Sequence, residues 1–254
     1  TYDCMPPRDW NAPSYERMSA PLEAMGRDVL DRLDLRGDER VLDAGCGTGR
    51  VTAALLERLP RGEVVAVDGS PAMVEAARER LGDAAELRVA DLLELELDRP
   101  VDAILSTATF HWIADHDRLF ARLHAVLVPG GRLAAQCGGA GNIAALKAAA
   151  ERVGEREPYA PALAGWPGPW NFASTAETAD RLRAAGFVDV WTWSHDVRVE
   201  PDDPREYLGT VALGSHLERL TPDLHEPFVD AVIAELDEPV VDYTRLNILA
   251  RRRS

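Results

Sequence analysis

An apolar strand that runs directly into a glycine-rich turn constrains this chain more than any other part of its sequence. Residues 41–49 read Val-Leu-Asp-Ala-Gly-Cys-Gly-Thr-Gly, and Asp68 ends a second apolar run nineteen residues after Gly49. Glycines let the backbone approach a ligand closely, and the start of the following helix offers free N–H groups to an anionic group. A carboxylate at the tip of the second strand can hold a ribose diol. Together these features predict a bound nucleoside-type cofactor.

The spacing of the glycines separates two classes of cofactor. Dinucleotide-binding turns follow the pattern GxGxxG, whereas this turn reads GxGxG, and Arg50 stands where the third dinucleotide glycine would fall. Asp43, two residues before Gly45, suits a cationic amino-acid group better than a pyrophosphate. An NAD-dependent oxidoreductase is therefore the disfavoured alternative.

Short β-rich runs alternate with helical patterns from Val41 onward. This alternation predicts βαβ units and a parallel sheet. The second half differs: it offers a proline-, glycine- and aromatic-rich stretch, a helix, a long strand, a further helical region and a final strand. The predicted strands are 41–44, 64–67, 87–90, 101–106, 132–136, 187–199 and 242–250, and the predicted helices include 71–81, 175–185 and parts of 201–237.

The charge of the chain argues against polyanionic partners. Lys and Arg number 28 against 43 Asp and Glu, so the 254 residues carry a formal charge of −15, which repels nucleic acids and anionic membrane surfaces. The three cysteines are too few and too scattered for a disulfide framework or a metal site. Charges and prolines interrupt the apolar stretches, so we expect neither a signal peptide nor a membrane span. These features predict a cytoplasmic protein without a metal.

Three motifs in combination make the chain resemble the class I S-adenosylmethionine-dependent methyltransferases. Residues 41–49 are similar to the first motif of that family, residues 68–73 to the second and residues 90–92 to the third. The resemblance extends over roughly residues 10–251. It implies an enzyme that transfers a methyl group from S-adenosylmethionine, leaving S-adenosylhomocysteine.

The resemblance also implies a particular fold. We expect a doubly wound, Rossmann-like α/β fold whose seven-stranded, mostly parallel sheet ends in an antiparallel last strand and carries helical cap insertions. Residues 1–254 would form a single domain, with N-terminal lid helices over 1–35 and cap elements over 155–174 and 200–240. Residues 128–131 look like the usual turn before the fifth strand.

Roles in cofactor binding follow from the same resemblance. The first-motif glycines would line the methionine portion, Asp68 would hold the ribose and Asp91 the adenine amino group. Met73 and Leu92 would flank the adenine. The complete set of implied cofactor contacts is Trp10, Tyr15, Asp43, Gly45, Gly47, Gly49, Asp68, Gly69, Ser70, Met73, Ala90, Asp91, Leu92, Ser106, Thr107 and His111.

A narrower similarity points to the trans-aconitate methyltransferase group and its small-molecule relatives. It is carried by Trp10-Asn11, Tyr15, residues 110–112 and residues 243–246. Members of that group methylate a carboxylate oxygen, which implies a small-molecule acceptor and methyl transfer to oxygen, either of a carboxylate or of a hydroxyl group. Carbon or nitrogen methylation in a natural-product pathway is the alternative, and a non-enzymatic scaffold is a further one. The protein is expected as a monomer or a homodimer.

His111 is the candidate catalytic residue. It follows the fourth predicted strand, at the carboxyl edge where ligands of open α/β sheets bind. Its titration range suits a general base, but contact with substrate or cofactor and plain packing are open alternatives. Trp10 and Tyr15 either cover the cofactor as part of a lid or pack the first helix on the sheet.

Two further groups of residues are candidates for the acceptor site. Arg17, Arg205 and Arg245 could each hold a substrate carboxylate through a bidentate contact, although surface ion pairing is the commoner role of arginine. Aromatic residues concentrate in the second half of the chain, which predicts an aromatic roof over the substrate. The tryptophans among them are Trp166, Trp170, Trp191 and Trp193. For Trp191 and Trp193, packing on the sheet is the alternative.

Overall fold

One mixed sheet organises the part of the chain that the computed structural model describes, which is Trp10, residues 12–13 and residues 20–254. Its seven strands follow the order β3-β2-β1-β4-β5-β7-β6. Strands β1 to β5 pair in parallel, and β7 is antiparallel to both β5 and β6. The predicted α/β fold with an antiparallel last strand is therefore confirmed. The strands are β1 Arg40–Ala44, β2 Glu63–Asp68, β3 Glu86–Val89, β4 Val101–Thr107, β5 Leu127–Gly138, β6 Phe187–Val199 and β7 Val241–Arg252.

Helices cover both faces of this sheet. The α-helices of the described residues are α1 Ala20–Leu30, α2 Arg50–Glu57, α3 Pro71–Leu81, α4 His116–Val126, α5 Ala144–Gly154, α6 Ala160–Leu163, α7 Thr175–Ala184, α8 Pro204–Tyr207, α9 Gly214–Leu217 and α10 His225–Ala234. The start of α3 illustrates the local chemistry. Ser70 accepts a hydrogen bond from the Met73 N–H, and Pro71 occupies the first turn. None of the described helices is long and apolar enough to cross a bilayer.

The two faces of the sheet bury different clusters of side chains. Along β1, which is buried throughout, Val41 packs with Val29 and Leu33 on one face. Leu42 packs with Leu119 and other side chains on the opposite face. Side chains alternate between the two faces of a strand. A central strand that is covered on both faces therefore has apolar side chains at nearly every position. This explains why β1 appears in the sequence as a continuous apolar run interrupted by Asp43.

Strand β5 differs from its prediction. The sequence places a strand at 132–136 after a turn at 128–131, but β5 already begins at Leu127 and continues to Gly138. The pairing of β5 with β4 shifts register between Val101 and Ala103, and Gly130 has a φ of +78°. Glycine adopts this backbone conformation without strain, so the irregularity is absorbed inside the strand rather than ending it.

A separate cluster packs on the first residues of β7. Val241 and Tyr243 contact side chains from α5, α6 and α10 and from residues 207–213. Leu246 and Ile248, further along β7, belong instead to the sheet cluster that contains Leu42. One strand thus joins the sheet to the helices that follow β5 and β6.

Candidate active site

The glycine turn after β1 is shaped by close backbone contacts. The N–H groups of Gly45 and Cys46 donate to the Val67 carbonyl at 2.8 and 3.0 Å. Gly45 has a φ of +87°, and a Cβ there would lie 2.0 Å from Thr109 Oγ1. Only glycine fits this position. At Gly47, with a φ of +53°, a Cβ would meet no described residue within 4 Å, so the described part of the chain leaves this side of the turn open.

Asp68 at the tip of β2 is bound to the same turn. Its carboxylate accepts hydrogen bonds from the N–H groups of Gly47 and Ser70, both at 2.9 Å. Burial raises its pKa, and these hydrogen bonds oppose the rise. Gly69, which lies between Asp68 and Ser70 in the sequence, is half-buried. The ribose-binding acid predicted from the sequence therefore lies beside the glycine turn.

Asp43 lies in the interior behind the turn. Its Oδ2 accepts a hydrogen bond from Thr52 at 2.7 Å, whereas its Oδ1 has no partner among the described residues. Burial raises its pKa to about 7. A buried carboxylate oxygen without a donor is costly unless a ligand supplies one.

The residues of the third motif follow β3. Asp91 accepts a hydrogen bond from the Leu93 N–H at 2.9 Å and caps a short 3₁₀ helix. Ala90 donates its N–H to the Asp68 carbonyl, which joins the second and third motifs. Met73 and Leu92 are buried, at 3% and 5% exposure, and Leu92 belongs to the core cluster of the sheet.

Trp10 connects the second motif to the end of β4. The backbone N–H of Trp10 donates to Ser70 Oγ at 3.2 Å. The Trp10 ring meets the Trp112 ring edge-on, with 5.2 Å between the ring centroids. Ser106 donates its hydroxyl to the Ala44 carbonyl at 2.6 Å inside the sheet, and Thr107 ends the strand half-buried. Tyr15 and Arg17 lie outside the described residues.

His111 lies in the 3₁₀ helix Phe110–Trp112, just beyond β4. The Gly138 N–H donates to its Nδ1 at 3.2 Å, and its ring stacks on Phe172 at 5.8 Å. Burial, and then the charge of Arg245, holds the pKa of His111 well below the usual value of 6.5. The ring is therefore neutral, with its proton on Nε2.

Among the candidate arginines, Arg245 lies beside this histidine. It pairs with Gly138 in the β5–β7 register, is 3% exposed, and donates from Nε to Gln136 Oε1 at 3.1 Å. Its guanidinium lies 5.7 Å from the Tyr243 ring centroid. Arg205, in contrast, is exposed and pairs with Asp230 at 2.6 Å.

Sequence reasoning missed the polar groups that fix Arg245. Gln136 donates from Nε2 to Asn247 Oδ1 at 2.9 Å, and Arg32 donates to the same oxygen at 2.5 Å. Gln136 and Asn247 are buried, at 3% and 0% exposure. The available signal was a single amide within an apolar stretch of each strand, over residues 133–138 and 246–250, because such a group is buried only with partners.

The predicted aromatic roof divides into two parts. Trp170 stacks on Phe172 at 5.7 Å, and its ring lies 6.4 Å from Trp112 and 5.5 Å from His216. Trp166 meets His216 at 4.8 Å. These rings extend the aromatic surface that begins at His111.

The two tryptophans of β6 lie elsewhere. Trp191 is 73% exposed, and the Arg32 guanidinium lies 5.1 Å from the Trp193 ring centroid. The alternative that Trp191 packs on the sheet was wrong, because its strand forms the outer edge and the ring is exposed, and a place for Trp191 in a substrate roof stays a prediction.

Asn171 fastens the aromatic segment to the His111 loop. Its N–H donates to the His111 carbonyl at 2.8 Å, and its Nδ2 reaches the carbonyls of Ile113 and Ala114. These hydrogen bonds join two segments distant in sequence around the histidine. No cluster of metal-binding side chains occurs among the described residues.

Comparison with known proteins establishes the family. A family model described as a methyltransferase domain matches residues 41–131. A trans-aconitate 2-methyltransferase of Methylobacterium radiotolerans is 32% identical over 97% of this chain and 99% of its own length. The chain belongs to the S-adenosylmethionine-dependent methyltransferases. A second relative of the same name, from Mycobacterium sp. strain KMS, is 33% identical to this methyltransferase over 90% of each chain.

A solved structure of lower identity shares the methyltransferase fold. It is phosphoethanolamine N-methyltransferase 2 of Haemonchus contortus, determined with phosphomonomethylethanolamine and S-adenosylhomocysteine. The TM-score is 0.64 at 20% identity, covering 96% of this methyltransferase and 57% of that chain. S-adenosylmethionine is the cofactor of the present methyltransferase, as its family membership requires.

Proposed function

We propose that this methyltransferase esterifies a carboxylate of a small polycarboxylic acid, as the names of its trans-aconitate 2-methyltransferase relatives suggest. One observation carries the proposal: Arg245 is buried beside His111, at the carboxyl end of β5, in a chain whose formal charge is −15. A buried cation in an acidic protein attracts an anionic acceptor to one place.

The cofactor side of the cleft fits S-adenosylmethionine. Asp43 Oδ1 is a buried acceptor to which none of the described residues donates, so it can accept from a cationic ammonium group, and Asp68 offers a carboxylate to ribose hydroxyls. The space beside Gly47 admits a ligand close to the backbone. When bound, S-adenosylmethionine supplies an electrophilic methyl group, which forms a bond to the acceptor oxygen while the sulfur keeps the electron pair of the broken S–C bond.

An ionised carboxylate loses no proton in this reaction. The protein therefore contributes alignment, charge and exclusion of water rather than proton transfer. We propose that residues 155–174 and 200–240 cover the acceptor side as caps. Trp170 and Asn171 from the first segment contact the His111 loop, and Tyr207 from the second hydrogen-bonds to Tyr243 at 2.8 Å.

Incubation of the protein with S-adenosylmethionine and trans-aconitate, followed by mass spectrometry, tests the proposal. The expected product gains one methyl group and loses it again in mild alkali, because hydroxide cleaves a methyl ester. A panel of citrate, cis-aconitate and succinate, run in parallel, measures how narrowly the acid is recognised.

Two results would contradict the proposal. A methyl group that survives alkali indicates transfer to carbon, to nitrogen or to a hydroxyl oxygen, and nitrogen is the acceptor that the name of the N-methyltransferase with the same fold gives. Absence of transfer to any carboxylic acid, with transfer to a neutral metabolite in cell extract, would also overturn it.

A further inference from the structure

The orientation of the His111 ring is fixed on three sides. The Gly138 N–H donates to Nδ1, Phe172 stacks on the ring face, and the Asn171 N–H holds the His111 carbonyl. A backbone N–H can only donate, so Nδ1 acts as the acceptor and the ring proton lies on Nε2. The nitrogen that carries the proton is also the one to which no described residue hydrogen-bonds.

A general base needs the opposite arrangement. Its free nitrogen must accept a proton, and its basicity must match the operating pH. In His111 the accepting nitrogen is already engaged by Gly138, and burial together with Arg245 makes the ring hard to protonate. The hydrogen-bonding group of the ring that remains is a single N–H donor at Nε2.

The charge around His111 favours an anion. Burial raises the pKa of Cys137 and of Tyr207, and the charge of Arg245 opposes both rises, whereas at His111 the same charge adds to the lowering of the pKa by burial. The positive potential of Arg245 therefore reaches all three side chains. His116 is buried with a lowered pKa of its own, and its protonation would lower the pKa of His111 further. The potential that disfavours an imidazolium stabilises a carboxylate in the same place.

We propose that His111 and Arg245 form the carboxylate subsite of the acceptor, in which His111 is a hydrogen-bond donor through Nε2 and not a general base. The inference rests on the proposed function and specifies how the acceptor is held. One N–H bound to one carboxylate oxygen leaves the second oxygen free to react, and the charge of Arg245 keeps the acid ionised.

Nitrogen-15 NMR of the full-length protein with S-adenosylhomocysteine reads the ring directly. His111→Gln identifies the signals by their loss. We expect a neutral ring protonated at Nε2 between about pH 5.5 and 8. A ring protonated at Nδ1, or one that titrates near its usual pKa, would overturn the inference whatever the acceptor is.

Kinetics with trans-aconitate compares two substitutions. His111→Gln keeps an N–H group at about the reach of Nε2 but has no basic nitrogen, whereas His111→Ala has neither. We expect kcat/KM of the glutamine variant within about tenfold of wild type and that of the alanine variant about 100-fold lower, mainly through KM, because a hydrogen bond to a charged group is lost. The wild-type rate should be flat from about pH 6 to 9.

Equal losses in the two variants, with a rising pH limb in the wild type that both lack, would identify a base and refute the donor role. Arg245→Lys should keep part of the acceptor affinity and Arg245→Gln should lose it, with thermal unfolding checked for both. Arg205→Gln on the surface is the matched control, expected to leave KM unchanged. If no acid is methylated while the ring is protonated at Nε2, the proposed function fails and the carboxylate subsite fails with it.

Discussion

At the scale of single residues, Asp43 has the most unusual environment of the site. It is buried at 1% exposure, with one oxygen unsatisfied. Its carboxyl group ionises near 3.8 in the unfolded chain and near 7 in the folded protein. The folded state therefore holds a proton that the unfolded state has lost, so this group makes the cofactor-free protein less stable as pH rises through that window.

Asp43→Asn removes this loss. Between about pH 4 and 8 the carboxyl costs about 4 kcal/mol of unfolding free energy, and the variant should be more stable than wild type at pH 8 but not at pH 4. Urea unfolding at the two pH values measures the difference. The same variant should bind S-adenosylhomocysteine more weakly. A variant less stable than wild type at pH 8 would contradict this account of Asp43.

Asp68 allows a direct test of the cofactor site. Asp68→Ala removes a carboxylate that lies beside the glycine turn, so the affinity for S-adenosylhomocysteine should fall about 10- to 100-fold in calorimetry. Glu75→Ala, at an exposed position of α3, is the control and should bind normally. Unchanged affinity in Asp68→Ala would move the ribose contact elsewhere.

At the scale of elements, the segment between α6 and α7, which is part of the proposed cap over residues 155–174, contacts the His111 loop. Trp170 lies between Trp112, Phe172 and His216. Trp170→Leu should raise the KM of the acid about tenfold while the S-adenosylhomocysteine dissociation constant changes less than about twofold, because the lost ring lies on the acceptor side. Trp191→Leu, exposed on β6, is the matched control. A larger effect on cofactor binding than on KM would contradict the cap role.

Elements built from neighbouring residues could be predicted from the sequence, and contacts between distant ones could not. The turn from Val41 to Gly49 consists of nine consecutive residues, so its ligand-binding chemistry can be predicted from that stretch of sequence alone. The hydrogen bond from Arg245 to Gln136 joins residues 109 positions apart, and the hydrophobic periodicity of the sequence does not predict it. The start of β5 was missed for a related reason: Pro129-Gly130-Gly131 has turn composition, and only pairing with β4 makes it a strand.

At the scale of the whole molecule, three buried histidines set the acid limit of stability. Burial lowers the pKa of His111, His116 and His216, the last to about 4. Unfolded imidazoles take up protons below about pH 6.5 and the folded ones do not. The contribution of these histidines to stability is therefore complete above that pH and declines as pH falls below it, whereas Asp43 contributes with the opposite sign.

His216→Phe tests one share of this decline. Between about pH 6.5 and 4 the wild-type residue costs about 3 kcal/mol, and the variant should lose correspondingly less stability on acidification. Phe228→Leu is the control, since Phe228 stacks on His216 at 5.7 Å and its loss weakens packing without removing a titrating group. Urea midpoints at pH 7.5 and 4.5 compare the slopes. Parallel slopes in His216→Phe and wild type would refute the assignment.

The position of β7 has a consequence for synthesis. It lies between β5 and β6 in space but follows both along the chain. A ribosome therefore releases two strands that do not touch each other before it releases the strand that joins them. Until then, β5 presents an unpaired edge, the kind of surface that chaperones protect from aggregation. Because Arg245 belongs to β7, the nascent chain can complete its glycine turn well before it contains the arginine of the proposed carboxylate subsite.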